Sequence, residues 1–175
     1  MKKQEKDSLF REEIIPHLDA AYTLARWLAR NGHDAEDIVQ DSFARAYSYF
    51  NSFSGKDGKK WLLAIVRNTF YSWYKKKLVR QGVEVSEEQS AEQIIEEQRP
   101  DMELEAKDRK EIVHQALHSL PLEFREVIIL RELESMSYKE IAALIGIPIG
   151  TVMSRLARGR EMLRTLLVDQ LDGEA

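Results

Sequence analysis

The sequence predicts an all-α protein made of two small helical domains, with a helix-turn-helix in the second. Four prolines and eight glycines among 175 residues leave long stretches that can be helical. Apolar residues recur at three- and four-residue steps, whereas the alternating runs typical of sheet are missing. A strongly acidic segment divides the chain, and we expect it to be a flexible linker.

Composition limits the classes of function that the chain can have. A hydrophobic content of 43% is enough for buried cores, and no apolar run approaches the length of a membrane span. The first residues, MKKQEKDSLFREE, lack the apolar core of a signal peptide, and the chain contains no cysteine. We therefore expect a cytoplasmic protein without membrane insertion, disulfides or thiolate metal sites.

The first helix is predicted from about Asp7 to Arg30, and Asn31 and Gly32 should end it. Pro16 should bend this helix or divide it into two pieces. The positions expected to face the core are Leu9, Phe10, Ile14, Leu18, Tyr22, Ala25 and Leu28.

The next helix is predicted to begin at Asp34, whose side chain would cap it. Its inward side would carry Val39, Phe43, Ala46, Tyr47 and Phe50. Its outward side would carry Asp34, Asp37, Gln40 and Asp41. The helix dipole explains part of this acidity, so the face is either a solvated surface or a docking face for a basic partner.

Residues 51–60, NSFSGKDGKK, are predicted to form a loop, and residues 61–80 a helix. The inward side of this helix would carry Leu62, Ile65, Val66, Thr69 and Trp73, and the other side Trp61, Arg67, Asn68, Tyr71, Tyr74 and Lys75. Residues 53–82 hold eight lysines or arginines against Asp57 alone, a local charge of +7. Aromatic rings interleaved with cations suit single-stranded nucleic acid, although core packing explains part of the aromatics equally well.

Residues 83–105 reverse this charge, with nine acidic residues against Arg99 alone and a local charge of −8. We expect the domains to span residues 1–82 and 106–170, with residues 83–105 as the acidic linker and residues 171–175 as a tail. The chain should fray after Val168.

The second domain is predicted to begin with helices at residues 108–119 and 121–134. Their core residues would be Ile112, Leu117, Leu120, Phe124, Val127, Ile128 and Leu130. His114 and His118 superficially resemble the zinc-protease pattern HExxH, but Gln115 replaces the general base and no third ligand is evident. We expect no metal site and no cofactor.

A helix-turn-helix is predicted within residues 137–163. Ser137 and Glu140 have capping-box spacing, Gly146 can stop the first helix, and Pro148 suits the start of the second. The second helix would turn Ile149, Val152, Leu156, Gly159 and Leu163 inward, and Gly150, Thr151, Ser154, Ala157 and Arg158 outward, with Arg155 and Arg160 on the flanks. Small residues, hydroxyls and guanidinium groups are typical of a DNA-reading face, and an ordinary solvated amphipathic helix is the alternative.

Three motifs together resemble the extracytoplasmic-function sigma factors, the promoter-specificity subunits of bacterial RNA polymerase. They are DAEDIVQDSFARAY at residues 34–47, WLLAIVRNTF at residues 61–70 and SYKEIAALIGIPIGTVMSRLARGR at residues 137–160. The resemblance covers nearly the whole chain. It implies a non-catalytic protein that binds core polymerase and promoter DNA, both double-stranded and melted, and that an anti-sigma factor holds inactive.

By this resemblance, each stretch receives a role. The helix with Asp34, Asp37, Gln40 and Asp41 would dock on the clamp coiled coil of the polymerase beta-prime subunit. The minus-ten element would be melted and read by Phe53, Lys56, Lys59, Lys60, Trp61, Arg67, Asn68, Tyr71 and Lys75. The minus-thirty-five element would be contacted by Thr151, Met153, Ser154, Arg155, Ala157, Arg158 and Arg160.

The sequence departs from the family pattern at three positions. Met153 stands where relatives often have lysine or arginine, Ser72 where many have aspartate, and Ser135 where glycine is usual. Two other functions compete with the sigma factor. A conventional helix-turn-helix regulator with a helical sensor domain would not need the aromatic and basic helix, and a helical enzyme would need a nucleophile and base that no spacing here supplies.

Overall fold

A computed structural model describes residues 1–82 and 108–172. The chain divides into two compact units, Met1–Glu87 and Glu88–Ala175. The described residues form helices and turns without a strand, which confirms the all-α prediction. The expected linker at residues 83–105 lies outside the described residues. Within the described ranges, no single helix is long and apolar enough to cross a membrane, and one bent pair of helices, at residues 138–145 and 149–172, meets that test only jointly.

The first unit contains four α-helices in its described part: α1 (Lys3–Glu13), α2 (Leu18–Leu28), α3 (Gly32–Ser48) and α4 (Gly58–Arg80). Short 3-10 turns at Ile15–His17 and Phe50–Ser52 interrupt the chain before α2 and after α3. Helices α2, α3 and α4 pack on one another around a core whose largest fully buried side chains are Ile14, Leu24, Ile38, Leu62, Leu63 and Phe70.

Pro16 divides the first predicted helix into α1 and α2, which confirms that expectation. Three residues expected in the core are instead substantially exposed: Leu9, Leu18 and Tyr22. The 3-10 turn at the proline changes the helical frame, so Ala21 and Leu24 face inward in α2. The prediction is therefore wrong at Leu18 and Tyr22 after the proline and at Leu9 on α1, whereas the other four predicted core residues are buried: Phe10, Ile14, Ala25 and Leu28.

Asn31, not Asp34, caps α3. The side-chain oxygen of Asn31 accepts a hydrogen bond from the backbone N–H of Asp34 at 2.8 Å, and α3 begins at Gly32. Asn31 is as good an N-cap residue as aspartate, so the helix begins two residues earlier than predicted. Asp34 consequently lies inside the first turn.

The second unit contains α5 (Arg109–Ser119), α6 (Leu122–Glu132), α7 (Tyr138–Ile145) and α8 (Ile149–Asp172). Asp108 caps α5 by accepting a hydrogen bond from the N–H of Glu111 at 2.8 Å. The predicted core residues Ile112, Leu120, Phe124, Val127, Ile128 and Leu130 are buried, and Leu117 is half-buried. Helix α8 continues to Asp172, so the prediction of fraying after Val168 is wrong for residues 169–172.

The predicted helix-turn-helix is confirmed as α7 and α8, whose axes differ by 105°. Ser137 and Glu140 form both hydrogen bonds of the capping box, at 3.1 and 3.2 Å. Gly146 ends α7 with a φ of 82°, the left-handed conformation that favours glycine. The break between the two helices is therefore built into the sequence.

The inward face of α8 is confirmed at Val152, Leu156 and Gly159, which are buried. Ile149 was predicted to be inward but is 44% exposed. It is the first residue of α8 and precedes the turns whose side chains are buried. Helical periodicity alone therefore does not predict the exposure of a residue at the end of a helix.

The serine at position 135 stands where the family usually has glycine, and its backbone explains the family's preference. Ser135 has a φ of 54° in the turn between α6 and α7. A side chain costs roughly 1–2 kcal/mol in this left-handed conformation, whereas glycine adopts it readily. Glycine at position 135 would therefore adopt this turn at a lower cost than serine does.

Replacement of Gly159 by alanine should destabilise the second unit by about 1–3 kcal/mol. A Cβ at this position would lie 2.9 Å from Cδ1 of Ile128 and 3.2 Å from Cβ of Phe124, so the Ile128 side chain would have to turn and α8 would have to shift slightly away from Phe124. Gly150→Ala is the matched control on the same helix, because nothing lies within 4 Å of its Cβ.

Unfolding followed by circular dichroism measures this effect. The tryptophan fluorescence transition should not move, since all three tryptophans, at positions 27, 61 and 73, lie in the first unit. Equal stability of the two alanine variants would contradict the close packing of α6 on α8.

Candidate nucleic-acid and partner interfaces

The outward face of α3 carries three of the four polar residues predicted for docking. Asp37 and Asp41 are about half exposed, and Gln40 is exposed beside them. Each carboxylate has a neighbour on its own helix, His33 at 3.8 Å from Asp37 and Arg45 at 3.2 Å from Asp41. Exposed pairs of this kind contribute little to stability, so the face remains available to a partner.

Asp34 does not belong to this exposed face. Its carboxylate lies 3.7 Å from Nζ of Lys77 near the end of α4, and accepts a hydrogen bond from the Asn31 amide at 2.8 Å. The side chain is 19% exposed. Because α3 begins at Gly32, Asp34 falls in the first turn, against α4, and its predicted outward placement is wrong.

An apolar groove that the sequence reading missed lies beside the acidic face. It is lined by Ile15, Leu18, Tyr22, Glu36, Val39, Gln40 and Phe43. Ile15 and Leu18 are 42% and 45% exposed. Pro16 is the sequence signal from which this groove could have been predicted. A change of helical frame at the proline moves Leu18 and Tyr22 out of the core.

The loop between α3 and α4 is shorter than predicted. Asp57 caps α4 by accepting a hydrogen bond from the N–H of Lys60 at 3.1 Å, so Lys59 and Lys60 lie in the first helical turn. The ammonium of Lys60 lies 2.9 Å from the Asp57 carboxylate. This side-chain hydrogen bond lowers the pKa of Asp57. Only Lys56, which is exposed, remains a cation of the loop itself.

Glycine is required at positions 55 and 58 of this segment for two different structural reasons. Gly55 has a φ of 80° with no atom within 4 Å of its Cβ position, so it serves the turn. Gly58 is buried, and a Cβ there would overlap the carbonyl oxygen of Glu13. Gly58 therefore permits close packing of α4 on the end of α1.

The loop is attached to the core through its aromatic ring. The ring centroid of Phe53 lies 5.5 Å from that of Phe50 in a stacked arrangement and 5.2 Å from that of Trp61. Phe50 in turn contacts Phe10 at 5.4 Å. Phe53 and Trp61 are each half-buried, so part of their aromatic surface stays accessible.

Two residues predicted on the exposed face of α4 are buried. Arg67 and Tyr71 are 7% and 8% exposed, and the Arg67 guanidinium lies 4.5 Å from the centre of the Tyr71 ring. The two side chains are at i and i+4, so they share one side of the helix, and that side faces the interior of the unit. Trp61, Asn68 and Lys75, at seven-residue steps, remain on the accessible side.

The outward face of α8 agrees closely with the prediction. Met153, Ser154, Ala157 and Arg158 are exposed, whereas Thr151 and Arg155 are half-buried. The guanidinium carbon of Arg158 lies 5.6 Å from the ring centre of Phe124 on α6. This contact restricts the side chain before any ligand arrives.

Arg160, predicted to contact DNA, is engaged within the second unit. Its guanidinium donates a hydrogen bond to the Glu132 carboxylate at 2.8 Å. This bond, with a further one to Tyr138, raises the pKa of Arg160. Both members of the ion pair are about half exposed.

The rings of His114 and His118 on α5 are 4.9 Å apart, and His118 is buried. In residues 1–82 and 108–172, no group of three or more histidine, aspartate or glutamate side chains is placed to hold a metal ion.

Comparison with known proteins agrees with the division of the chain into two units. Residues 14–78 match the Sigma-70 region 2 family, and residues 110–163 match the family Sigma-70, region 4. The sigma factor RpoE of Bartonella quintana, solved in complex with the anti-sigma factor NepR, is 31% identical with a TM-score of 0.71. That match covers 90% of this chain and 96% of RpoE.

Two curated relatives are named as ECF RNA polymerase sigma factors. The ECF RNA polymerase sigma factor SigE of Mycolicibacterium smegmatis is 35% identical over 89% of this chain, and the match spans 60% of the length of SigE. The ECF RNA polymerase sigma-E factor of Haemophilus influenzae is 35% identical over 80% of this chain and 77% of its own length. The chain therefore belongs to the ECF RNA polymerase sigma factors of the sigma-70 family.

Proposed function

We propose that this chain is an alternative sigma factor that binds core RNA polymerase in the cytoplasm and directs promoter recognition and transcription initiation. One observation carries the proposal. One unit contains a helix-turn-helix, α7 and α8, that suits duplex DNA. The other unit contains the basic and aromatic helix α4 together with the acidic face of α3. The chain supplies binding surfaces, and the polymerase supplies the catalytic residues.

The docking surface for core polymerase consists of Asp37, Gln40 and Asp41 together with the neighbouring apolar groove. The carboxylates suit cations on the clamp helices of the beta-prime subunit, and the exposed side chains of Ile15 and Leu18 supply apolar area to bury. Asp34 acts indirectly, because it holds α3 against the end of α4 through Lys77.

Reversal of both acids in Asp37→Lys/Asp41→Lys should weaken core binding at least tenfold while the fold stays intact. Exposed pairs are worth only about 0.2–1 kcal/mol each, so a tenfold loss requires that the partner desolvates them. Fluorescence titration of labelled protein with core polymerase measures the affinity. The control, Glu5→Lys/Glu12→Lys, makes the same charge change at exposed positions of α1. Equal affinities of the two double variants for core polymerase would contradict the proposal that α3 docks on it.

The minus-ten surface is formed by Phe53, Lys56, Trp61, Asn68 and Lys75. Lys59 and Lys60 add positive charge from the first turn of α4. The buried pair Arg67 and Tyr71 supports the helix from behind rather than meeting the DNA strand. Unpaired bases would stack on the accessible aromatic surface while the phosphates meet the lysines.

The minus-thirty-five surface is the outward face of α8, with Thr151, Met153, Ser154, Ala157 and Arg158 toward the bases. Arg155 on the flank suits a phosphate contact. Arg160 remains paired with Glu132, and both are exposed enough to lie near the DNA backbone.

An anti-sigma factor is proposed as the regulatory partner, because RpoE of Bartonella quintana was solved with one and resembles this chain over almost its whole length. The proposal is tested against a conventional helix-turn-helix regulator, the function that competed with it on the sequence alone. Co-purification distinguishes the two, since a sigma factor is retained by core polymerase without DNA, whereas a conventional regulator is retained by DNA alone.

A further inference from the structure

Two large apolar side chains lie exposed at the start of the recognition helix α8. Ile149 is 44% exposed and Met153 is 52% exposed. They are four residues apart, so they lie one turn above the other on the same side of the helix. An isolated exposed methionine would need no explanation, but a pair on a face that otherwise carries serine, alanine and arginine does.

The surroundings of this pair fit the major groove of DNA. Nothing lies within 4 Å of the Cβ position at Gly150, so the first turn of α8 can approach another surface closely. Ser154 and Arg158 are exposed farther along the same helix, and Arg155 places positive charge at one flank, whereas the charge of Arg160 is paired with Glu132. A partner with a small apolar group surrounded by negative charge would contact both the apolar pair and the cations of α8.

Thymine is the base that presents a small apolar group of this kind in DNA. In the major groove its C5-methyl group projects between hydrogen-bonding edges, and apolar side chains contact it. The thioether of methionine is flexible and polarisable, so it adapts to this small target. A guanidinium or ammonium at position 153 would instead favour the acceptors O6 and N7 of guanine.

We propose that Met153, assisted by Ile149, reads thymine methyl groups in the upstream promoter element of this sigma factor. This inference rests on the proposed function and adds the class of base pair recognised. At the base pair that residue 153 contacts, this chain should therefore require A·T with thymine toward α8. A chain with lysine or arginine at position 153 would select G·C at the same base pair.

The test uses holoenzyme assembled from the full chain and core polymerase. A duplex library randomised in the upstream element is first selected by wild-type holoenzyme, and each thymine of the enriched sequence is then replaced by deoxyuridine, which lacks only the methyl group. We expect at least one replacement to weaken binding about fourfold, the worth of one buried methyl-sized group. Met153→Ala should lose this sensitivity at the same position, and Met153→Arg should enrich guanine there.

The control Val168→Ala truncates another exposed apolar residue of α8, 49% exposed near its other end, and should keep the deoxyuridine effect. Retained selective binding without any deoxyuridine effect would overturn the methyl readout and leave the sigma-factor assignment intact. An equal deoxyuridine effect in wild type and Met153→Ala would also overturn it. Absence of any enriched sequence would instead count against the proposed function itself.

Discussion

Holoenzyme carrying Phe53→Ala, Lys56→Ala and Lys59→Ala should open promoters at least tenfold more slowly than wild type, with unchanged binding to the upstream element. Capture of an unpaired base on an aromatic ring is worth roughly 1–3 kcal/mol, and two lysines add phosphate contacts that weaken as salt rises. Unpairing costs a few kcal/mol per base, so loss of this surface should act directly on opening.

Fluorescence of a base analogue placed in the downstream element measures the opening rate. The control variant Lys2→Ala/Lys3→Ala/Leu9→Ala removes two cations and one exposed apolar side chain from α1 and the residue before it, and should open promoters normally. Because Phe53 also packs on Phe50 and Trp61, thermal unfolding of the first unit must be measured alongside. Opening as fast and as complete as wild type would reduce this segment to a connector between α3 and α4.

Arg158→Ala should weaken binding to the enriched upstream element by roughly 1–3 kcal/mol, about 5- to 150-fold, and relax the base preference at one position. The side chain lies on the outward face of α8 and is already restricted by Phe124, at 5.6 Å from its guanidinium carbon. A restricted side chain loses less conformational entropy on binding, so its removal should be costly.

Arg155→Ala provides the comparison for Arg158→Ala. Arg155 lies on the flank of α8, so its loss should weaken binding evenly across sequences and reduce the salt dependence by about one phosphate contact. Titration of specific and scrambled duplexes with holoenzyme at several salt concentrations separates the two effects. If both variants lose the same affinity on both duplexes, Arg158 does not read a base.

Local signals in the sequence predicted the second unit best. The capping box at Ser137, the left-handed Gly146 and the apolar spacing of Val152 and Leu156 all act within a few residues, and each is present as predicted. Such signals are readable because capping and helical periodicity depend on near neighbours alone. The outward placement of Ser154 and Arg158 followed from the same periodicity.

Several side-chain placements in the structure depend on tertiary contacts or on a competing cap, which helical periodicity does not predict. Arg67 resembled a surface cation, but it is 7% exposed and lies against the ring of Tyr71 on the inward side of α4. Arg160 pairs with Glu132, 28 positions earlier in the chain, which no local pattern reveals. Asn31 caps α3 in place of the predicted Asp34, because both residue types are good N-caps and Asn31 comes first.

The proposed sigma-factor function is tested most directly by run-off transcription with purified core polymerase, this chain and a library of genomic promoter fragments. We expect discrete transcripts that require both proteins, and permanganate-reactive thymines near the start sites only when both are present. Neither protein alone should give either signal, because the chain has to hold both promoter elements while the polymerase stabilises the open strands. If the chain selects duplex sites equally well without core polymerase, and core polymerase gains neither specific starts nor strand opening from it, the chain is a conventional regulator and the sigma-factor account is wrong.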